Sequence, residues 1–458
     1  MSDGRNGQSS AWTLKQRLWA SGSWTVAARV IAGLSGFVVN ALLSRMLSPA
    51  DLGAYFLLIS VATAGALFAQ LGLQLAVVRL VSQALADAKL ARARGVITRA
   101  LGIACAAAVL AGVIAGAAGD SMALKVFGSV AIAQVSWLGG AWLAGAVIAG
   151  VTAEAFRGLH SYALAGVIGG AGINAALLIF LALAFGFTVR PGFVDVVALS
   201  TAVVLAVAIL GLLAMRVQLR RLGSAAPVTT AEVLAVSLPL LVTTGAIFIS
   251  TQADLWILGA KCSQDEVAMY STAMRLVQLV MMPLLMMNTV LAPVIAEQFA
   301  RGRKAELERV LRASAAITGL PALVALGALG FAARPVLGWV YGSYYEGGAT
   351  ALLWVSAGQA VNVLSGSAAI VLMMTGHQRA VMTISLVTGA GLVAGALMVA
   401  SDYGMNGVAV VAGTMTAVHG IACALWVRRA TGMSTLCSPG GLVDFAKQLR
   451  SLVRATPG

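Results

Sequence analysis

Apolar runs recur along the chain, near 21–43, 52–78, 99–118, 128–154, 161–185, 193–215, 233–259, 267–296, 311–332, 348–375, 380–400 and 405–427. Each approaches the roughly 20 residues that a helix needs to cross a hydrocarbon core. Short polar patches separate them, and the pattern predicts twelve membrane-spanning helices. An even number places both termini on one side. Composition agrees: 60% of residues are apolar, 10% are charged and mean hydropathy is +0.93. Glycine is abundant and aromatics are few, which suits close helix packing in lipid. Cys105, Cys262, Cys423 and Cys437 stand singly and suggest neither a metal site nor a disulfide framework.

Charge orients the spans. With the N-terminus inside, inner segments hold 23 of the 30 Lys and Arg, and outer loops hold five: Arg45, Lys125, Arg190, Lys261 and Arg334. This is the asymmetry of the positive-inside rule. The net charge of +14 is therefore mostly topology, and no base-stacking or phosphate-clamping motif accompanies it, so nucleic acid is not an expected partner. The polar, basic opening residues lead into a full-length span without a cleavage site, so the first helix is expected to stay in the protein. The expected location is a bacterial inner membrane, with both termini cytoplasmic.

One stretch occurs twice. SPADLGAYFLL (48–58) and SQDEVAMYSTA (263–273) share an opening Ser, an acidic residue three places on (Asp51, Glu266) and a Tyr four further (Tyr55, Tyr270). Both copies fall at outer turns six spans apart, and a basic inner loop follows each. The longest internal polar inner segment, 216–232, lies between the halves. The expected organisation is a cytoplasmic segment 1–20, an N-lobe of six helices over 21–215, a linker 216–232, a C-lobe over 233–430 and a tail over 431–458 with a short amphipathic helix. Two parallel repeats are a common transporter plan, with the substrate path between them.

Charges deep in spans are candidates for function because hydrocarbon penalises them. Arg29 and Arg275 each lie about eight residues into a span, roughly 12 Å deep at 1.5 Å per residue. Arg29, Gly33, Gly36 and Asn40 share one helical face, as do Ser271, Arg275 and Gln278. Helix 2 offers Thr63, Gln70 and Gln74, and helix 7 offers Thr243, Ser250 and Asp254. If helices 1, 2, 7 and 8 line a cleft, two arginines there suit an anionic, phosphate-bearing cargo. Two plainer readings stand beside this one: Arg275 and Asp254 neutralise each other in packing, and Arg29 snorkels to the inner headgroups. Pro239, Pro283, Pro293 and Pro321 are candidate hinges or static kinks. The pairs Gly112/Gly116, Gly166/Gly170 and Gly391/Gly395 are read as packing. Glu154 and Arg157 read as a local i,i+3 pair.

AARVIAG in helix 1, LLSRMLSPADLGAYFLL at its outer turn, GLQLAVVRL, SLPLLVTT, QADLWILGAKCSQDEVAMYSTAMRLVQL and LAPVIAE together resemble the polysaccharide-flippase branch of the multidrug/oligosaccharidyl-lipid/polysaccharide exporter superfamily, over residues 15–430. The resemblance implies a V-shaped all-α transporter of two six-helix lobes with a central cationic cavity. It implies translocation of an undecaprenyl- or related polyprenyl-pyrophosphate-linked oligosaccharide to the periplasmic leaflet by alternating access, for exopolysaccharide, capsule or O-antigen synthesis. Arg29 matches the family's helix 1 cavity arginine; Arg275 and Asp254 match its helix 8 arginine and helix 7 aspartate. The two-helix C-terminal extension of the peptidoglycan-precursor branch is not expected. Expected partners are the lipid-linked glycan, the bilayer, and polysaccharide polymerase or co-polymerase proteins. No cofactor is expected. Drive would come from sodium or proton coupling through Asp254 or from membrane potential alone, which gives two outward-moving charges roughly 4–5 kcal/mol per 100 mV. A cation-coupled multidrug antiporter shares the architecture but is expected to carry intramembrane carboxylates, and helix 1 has none. A membrane enzyme is disfavoured by short outer loops and dispersed His160, His377 and His419.

Overall fold

The computed structural model of the chain describes residues 27–187 and 191–437, and only the backbone at 243, 246, 247, 249, 250, 290 and 293. The expected N-terminal segment 1–20, Arg190, the tail helix over 440–455 and the side chains of Thr243 and Ser250 lie outside this description. Among the described residues there are helices and turns and no strand. Among the described residues, nine helices are long and apolar enough to cross a membrane, and a bent pair makes ten. The last of the nine, Gln378–Thr431, is two helices joined at a kink. The 32-residue helix Thr230–Lys261 lies where the expected span 233–259 falls.

The chain divides into two compact units at Phe248/Ile249. The first contains α1 (Ala27–Met46), α2 (Pro49–Ala69), α3 (Leu73–Ala86), α4 (Leu90–Val126), α5 (Val130–Gln134), α6 (Ser136–Gly158), α7 (Tyr162–Gly166), a π-turn (Val167–Ala171), α8 (Gly172–Gly186), α9 (Phe193–Arg220) and the beginning of α10 (Thr230–Lys261). At its centre α6 packs on α2, α3, α4 and α9. Small residues allow this: a Cβ added to Gly140 of α6 would stand 2.3 Å from the Gly112 carbonyl oxygen of α4. Val77, Val96, Ile97, Val147, Val151 and Phe156 fill the core between these helices.

The boundary differs from the expected linker at 216–232 for a local reason. That stretch is docked: the Ala226 N–H donates to Ala91 O at 2.8 Å, and Arg99 Nε donates to Val228 O at 3.0 Å. Arg92 pairs with Glu232 at 2.6 Å, and Val228 and Val233 are buried. The start of α10 therefore packs as part of the first unit.

The second unit continues through α11 (Gln264–Ala300), α12 (Lys304–Phe331), α13 (Ala333–Tyr341), a 3-10 turn (Ser343–Gly348), α14 (Ala349–Leu364), α15 (Ala368–Met374) and α16 (Gln378–Thr431). Here α14 is central, packing on α11, α12 and α16. It is the fourth span of its half, as α6 is of the first.

The candidate hinges were sought at prolines, yet α10, α11 and α12 run through Pro239, Pro283, Pro293 and Pro321. The chain breaks at glycines instead. Gly404 takes φ +56 within α16, and the Met405 N–H that follows is capped by Glu266 Oε1 at 3.0 Å. Between α14 and α15, Gly366 (φ +69) turns the chain through 47°. A helical interruption strands carbonyls whose i+4 donors have moved away. Cys437 N donates to Leu364 O at 2.9 Å and Thr435 Oγ1 donates to Ser365 O at 2.8 Å, so a strap after α16 covers that break.

The duplicated motif has one structural meaning in both copies. Ser48 and Ser263 are N-caps, accepting from the N–H of Asp51 at 3.2 Å and of Glu266 at 3.3 Å. The Tyr two turns on is buried and anchored: Tyr55 to Ser200 of α9 at 3.2 Å, Tyr270 to Asp254 of α10 at 2.5 Å.

Candidate functional site

At the described start of α1, Arg29 is exposed and faces the turn between α6 and α7. Two contacts hold α1 there. Gly166 lies so close that an added Cβ would stand 2.5 Å from Ala28 Cβ, and Asn174 of α8 donates to Ala32 O at 2.9 Å. Gly166 and Asn174 are eight residues apart, about 12 Å along a regular helix, whereas Ala28 and Ala32 are about 6 Å apart. The π-turn absorbs the difference: Gly169 and Gly170 leave helical geometry, Gly170 with φ +131.

The result is a cavity of about 110 Å³ lined by Arg29, Ala32, Arg157, Tyr162, Gly166 and Gly169, among others. Such a volume has room for a phosphate or diphosphate group. Behind the lining, Arg157 Nη1 donates to Glu154 Oε1 across one helical turn. The Arg157 side chain is 33% exposed and that of Glu154 17%. Glu154 is within electrostatic reach of both Arg157 and Arg29. The pair expected from the sequence forms, and it belongs to a pocket that reading did not anticipate. The sequence offered Arg157 only as the i,i+3 partner of Glu154 and did not single out Tyr162.

The other expected site residues are distributed differently. Asn40 is buried and donates to Gly36 O at 2.6 Å within α1. Gln70 is buried and Gln74 half-buried; a Cβ on Gly150 of α6 would stand 2.7 and 2.9 Å from their Nε2 atoms. These three make the contacts named here within the first unit. In the second unit Ser271 is buried, its Oγ without a partner among the described residues, and Gln278 is exposed. Asp254 is buried and accepts from Tyr270 at 2.5 Å and from the Leu255 N–H at 2.9 Å. Arg275, offered by the sequence as its neutraliser, is half-buried and acts on Tyr341. Burial holds the Tyr341 phenol above its ordinary range, with the Arg275 charge pulling the other way.

Solved structures share the fold. An inward-facing multidrug resistance MATE family transporter matches with TM-score 0.65 at 14% identity, over 93% of this chain and 96% of that one. The lipid II flippase MurJ in an inward closed conformation matches with TM-score 0.66 at 12% identity, over 95% and 93%. A superfamily transporter from Pyrococcus furiosus, described by the reversed polarity of its binding pocket, matches with TM-score 0.61 at 16% identity, over 91% and 95%. A sequence comparison with curated proteins gives no match. The MatE family profile matches residues 239–397. The profile described as polysaccharide biosynthesis protein matches residues 18–299, more than half of the chain. The chain therefore belongs to the polysaccharide biosynthesis protein family.

Proposed function

We propose that the protein is a flippase for a polyprenyl-diphosphate-linked oligosaccharide, moving it from the cytoplasmic to the periplasmic leaflet of a bacterial inner membrane for polysaccharide synthesis. The Arg29–Arg157 cavity carries the reading. It offers two guanidinium forks, which bind phosphate oxygens in pairs, in a volume that admits the diphosphate. Arg275 is the second unit's candidate cation.

The test is flipping of a fluorescent lipid-linked oligosaccharide by the purified protein in proteoliposomes. Hydrogen bonds to charged groups contribute about 1.5–3 kcal/mol each, so Arg29→Ala or Arg157→Ala should weaken cargo affinity by about 10- to 100-fold. Wild-type flipping by both correctly inserted variants overturns the assignment.

The MatE match over residues 239–397 favours a second reading, a cation-coupled multidrug antiporter. A pocket with two guanidiniums repels cationic drugs. Transport of a cationic dye, with no flipping of the lipid-linked glycan, would select that reading.

A further inference from the structure

We propose that Glu154 is the charge switch of this pocket: it takes up one proton from water as a doubly charged diphosphate binds. The inference rests on the anion-site reading above and adds a residue and a proton to it.

The argument is electrostatic. Arg29 and Arg157 line the cavity, while Glu154 stands behind Arg157, joined to it by the Nη1–Oε1 hydrogen bond and less exposed than its partner. Two guanidiniums and one carboxylate sum to a single positive charge. A diphosphate linking a lipid to a sugar brings two negative charges, so the filled pocket would hold a net negative charge in a partly buried place. Uncompensated charge there is costly. Few groups can correct it. Arginine does not deprotonate in proteins, and a phenol such as Tyr162 can only add negative charge. Among the described residues, Arg157 and Arg29 are the charged groups that act on Glu154. His160 is the other group able to gain a proton; it is exposed, with its ring 6.1 Å from that of Tyr162.

Protonation of Glu154 makes the sum zero and has a second effect. The Glu154–Arg157 ion pair opens, which frees Arg157 Nη1 to donate to a phosphate oxygen. The empty pocket keeps its own counter-ion, and cargo replaces it.

The linkage has a definite sign. Binding that takes up a proton strengthens as pH falls, by up to about tenfold per pH unit for one proton, within the window where Glu154 titrates. The probe is a short-chain prenyl diphosphate sugar, a diester with two fixed charges that does not itself titrate over the working range. Its binding to the full-length protein in nanodiscs is measured against pH, and proton uptake is followed with an indicator dye in weak buffer. Wild type should take up one proton per probe bound. Glu154→Gln should bind with pH-independent affinity, at least as tightly as wild type, and take up none, while His160→Gln should behave as wild type. Zero uptake by wild type overturns the proposal whatever the variants do. So does a Glu154→Gln protein that keeps the pH slope, or one that only weakens binding, the signature of a residue that merely orients Arg157. If Arg157→Ala binds the probe as wild type does, the anion-site reading fails, and this inference with it.

Discussion

Replacing Tyr270 by Phe removes one oxygen from a site with almost no solvent. Tyr270 is 1% exposed and its partner Asp254 5%. The carboxylate accepts two hydrogen bonds, from Tyr270 at 2.5 Å and from the Leu255 N–H at 2.9 Å. The variant keeps the ring and its packing, so the loss is confined to the bond and to the desolvated oxygen left behind. Bonds to charged groups contribute about 1.5–3 kcal/mol, and the orphaned acceptor moves the cost toward the upper end. About 2–3 kcal/mol corresponds to a drop in melting temperature of about 4–12 °C for a unit of this size. Asp254→Asn should behave differently. Its Oδ1 can still accept from the Leu255 N–H, and its Nδ2 can donate to the Tyr270 oxygen, so about 1 kcal/mol or less is expected. Because the residues share one bond, the double variant should fall short of additivity. The assay is thermal unfolding of the protein in detergent, paired with flipping in proteoliposomes. A Tyr270→Phe protein that melts with wild type refutes the anchoring argument. An Asp254→Asn protein that melts normally but no longer flips cargo would give Asp254 a role in coupling.

Two further outcomes follow from the helix breaks. Gly404→Ala places a side chain at φ +56, ψ −146, where an added Cβ would stand 2.2 Å from Glu266 Oε1; the backbone term alone costs about 1–3 kcal/mol, and melting should fall accordingly, whereas Gly223→Ala, at a positive-φ turn with open space, should lose only a backbone term. For the strap, Thr435→Val removes the bond to Ser365 O from a side chain that is 2% exposed; about 1–3 kcal/mol should be lost for the stranded carbonyl, and Cys437, which donates to Ala315 O at 3.3 Å, should react faster with a thiol reagent in a protein whose other cysteines are serine. Unchanged Cys437 labelling would show that the strap stays docked without Thr435.

How far the fold was legible depended on which physical term decided each feature. Span positions follow from hydropathy alone, because burial in lipid is paid residue by residue along the chain. The duplicated motif was legible for a related reason. A cap and the Tyr two turns on are local, so their spacing survives in both halves whatever the partner, and the partners do differ, Ser200 in one and Asp254 in the other. The break at Gly404 falls at the boundary expected between spans 380–400 and 405–427, whereas the break at Gly366, inside the expected span 348–375, was not legible. Proline signals a lost hydrogen bond, but α10 to α12 continue through theirs, while Gly366 and Gly404 bend the chain because distant donors and acceptors, Cys437, Thr435 and Glu266, satisfy the groups that the bends expose. A linear reading has no means of pairing residue 366 with residue 435.

The candidate site shows the same division more sharply. Depth along a span singled out Asp254 as the conspicuous carboxylate and treated Glu154 as half of a local pair. Depth measures distance from the membrane surface, not from the nearest hydrogen-bond donor. Asp254 lies deep, and its carboxyl accepts from Tyr270 and from the Leu255 N–H. Glu154 lies near the end of its span, beside two guanidiniums and a cavity. For a carboxylate to respond to cargo, its energy has to change when cargo arrives, which requires partners shared with the cargo. Arg157 is such a partner for Glu154; the Tyr270 hydroxyl, sealed at 1% exposure, is not one for Asp254. Sharing of partners with the cargo, more than immersion in the membrane, is what the proposed role of Glu154 turns on.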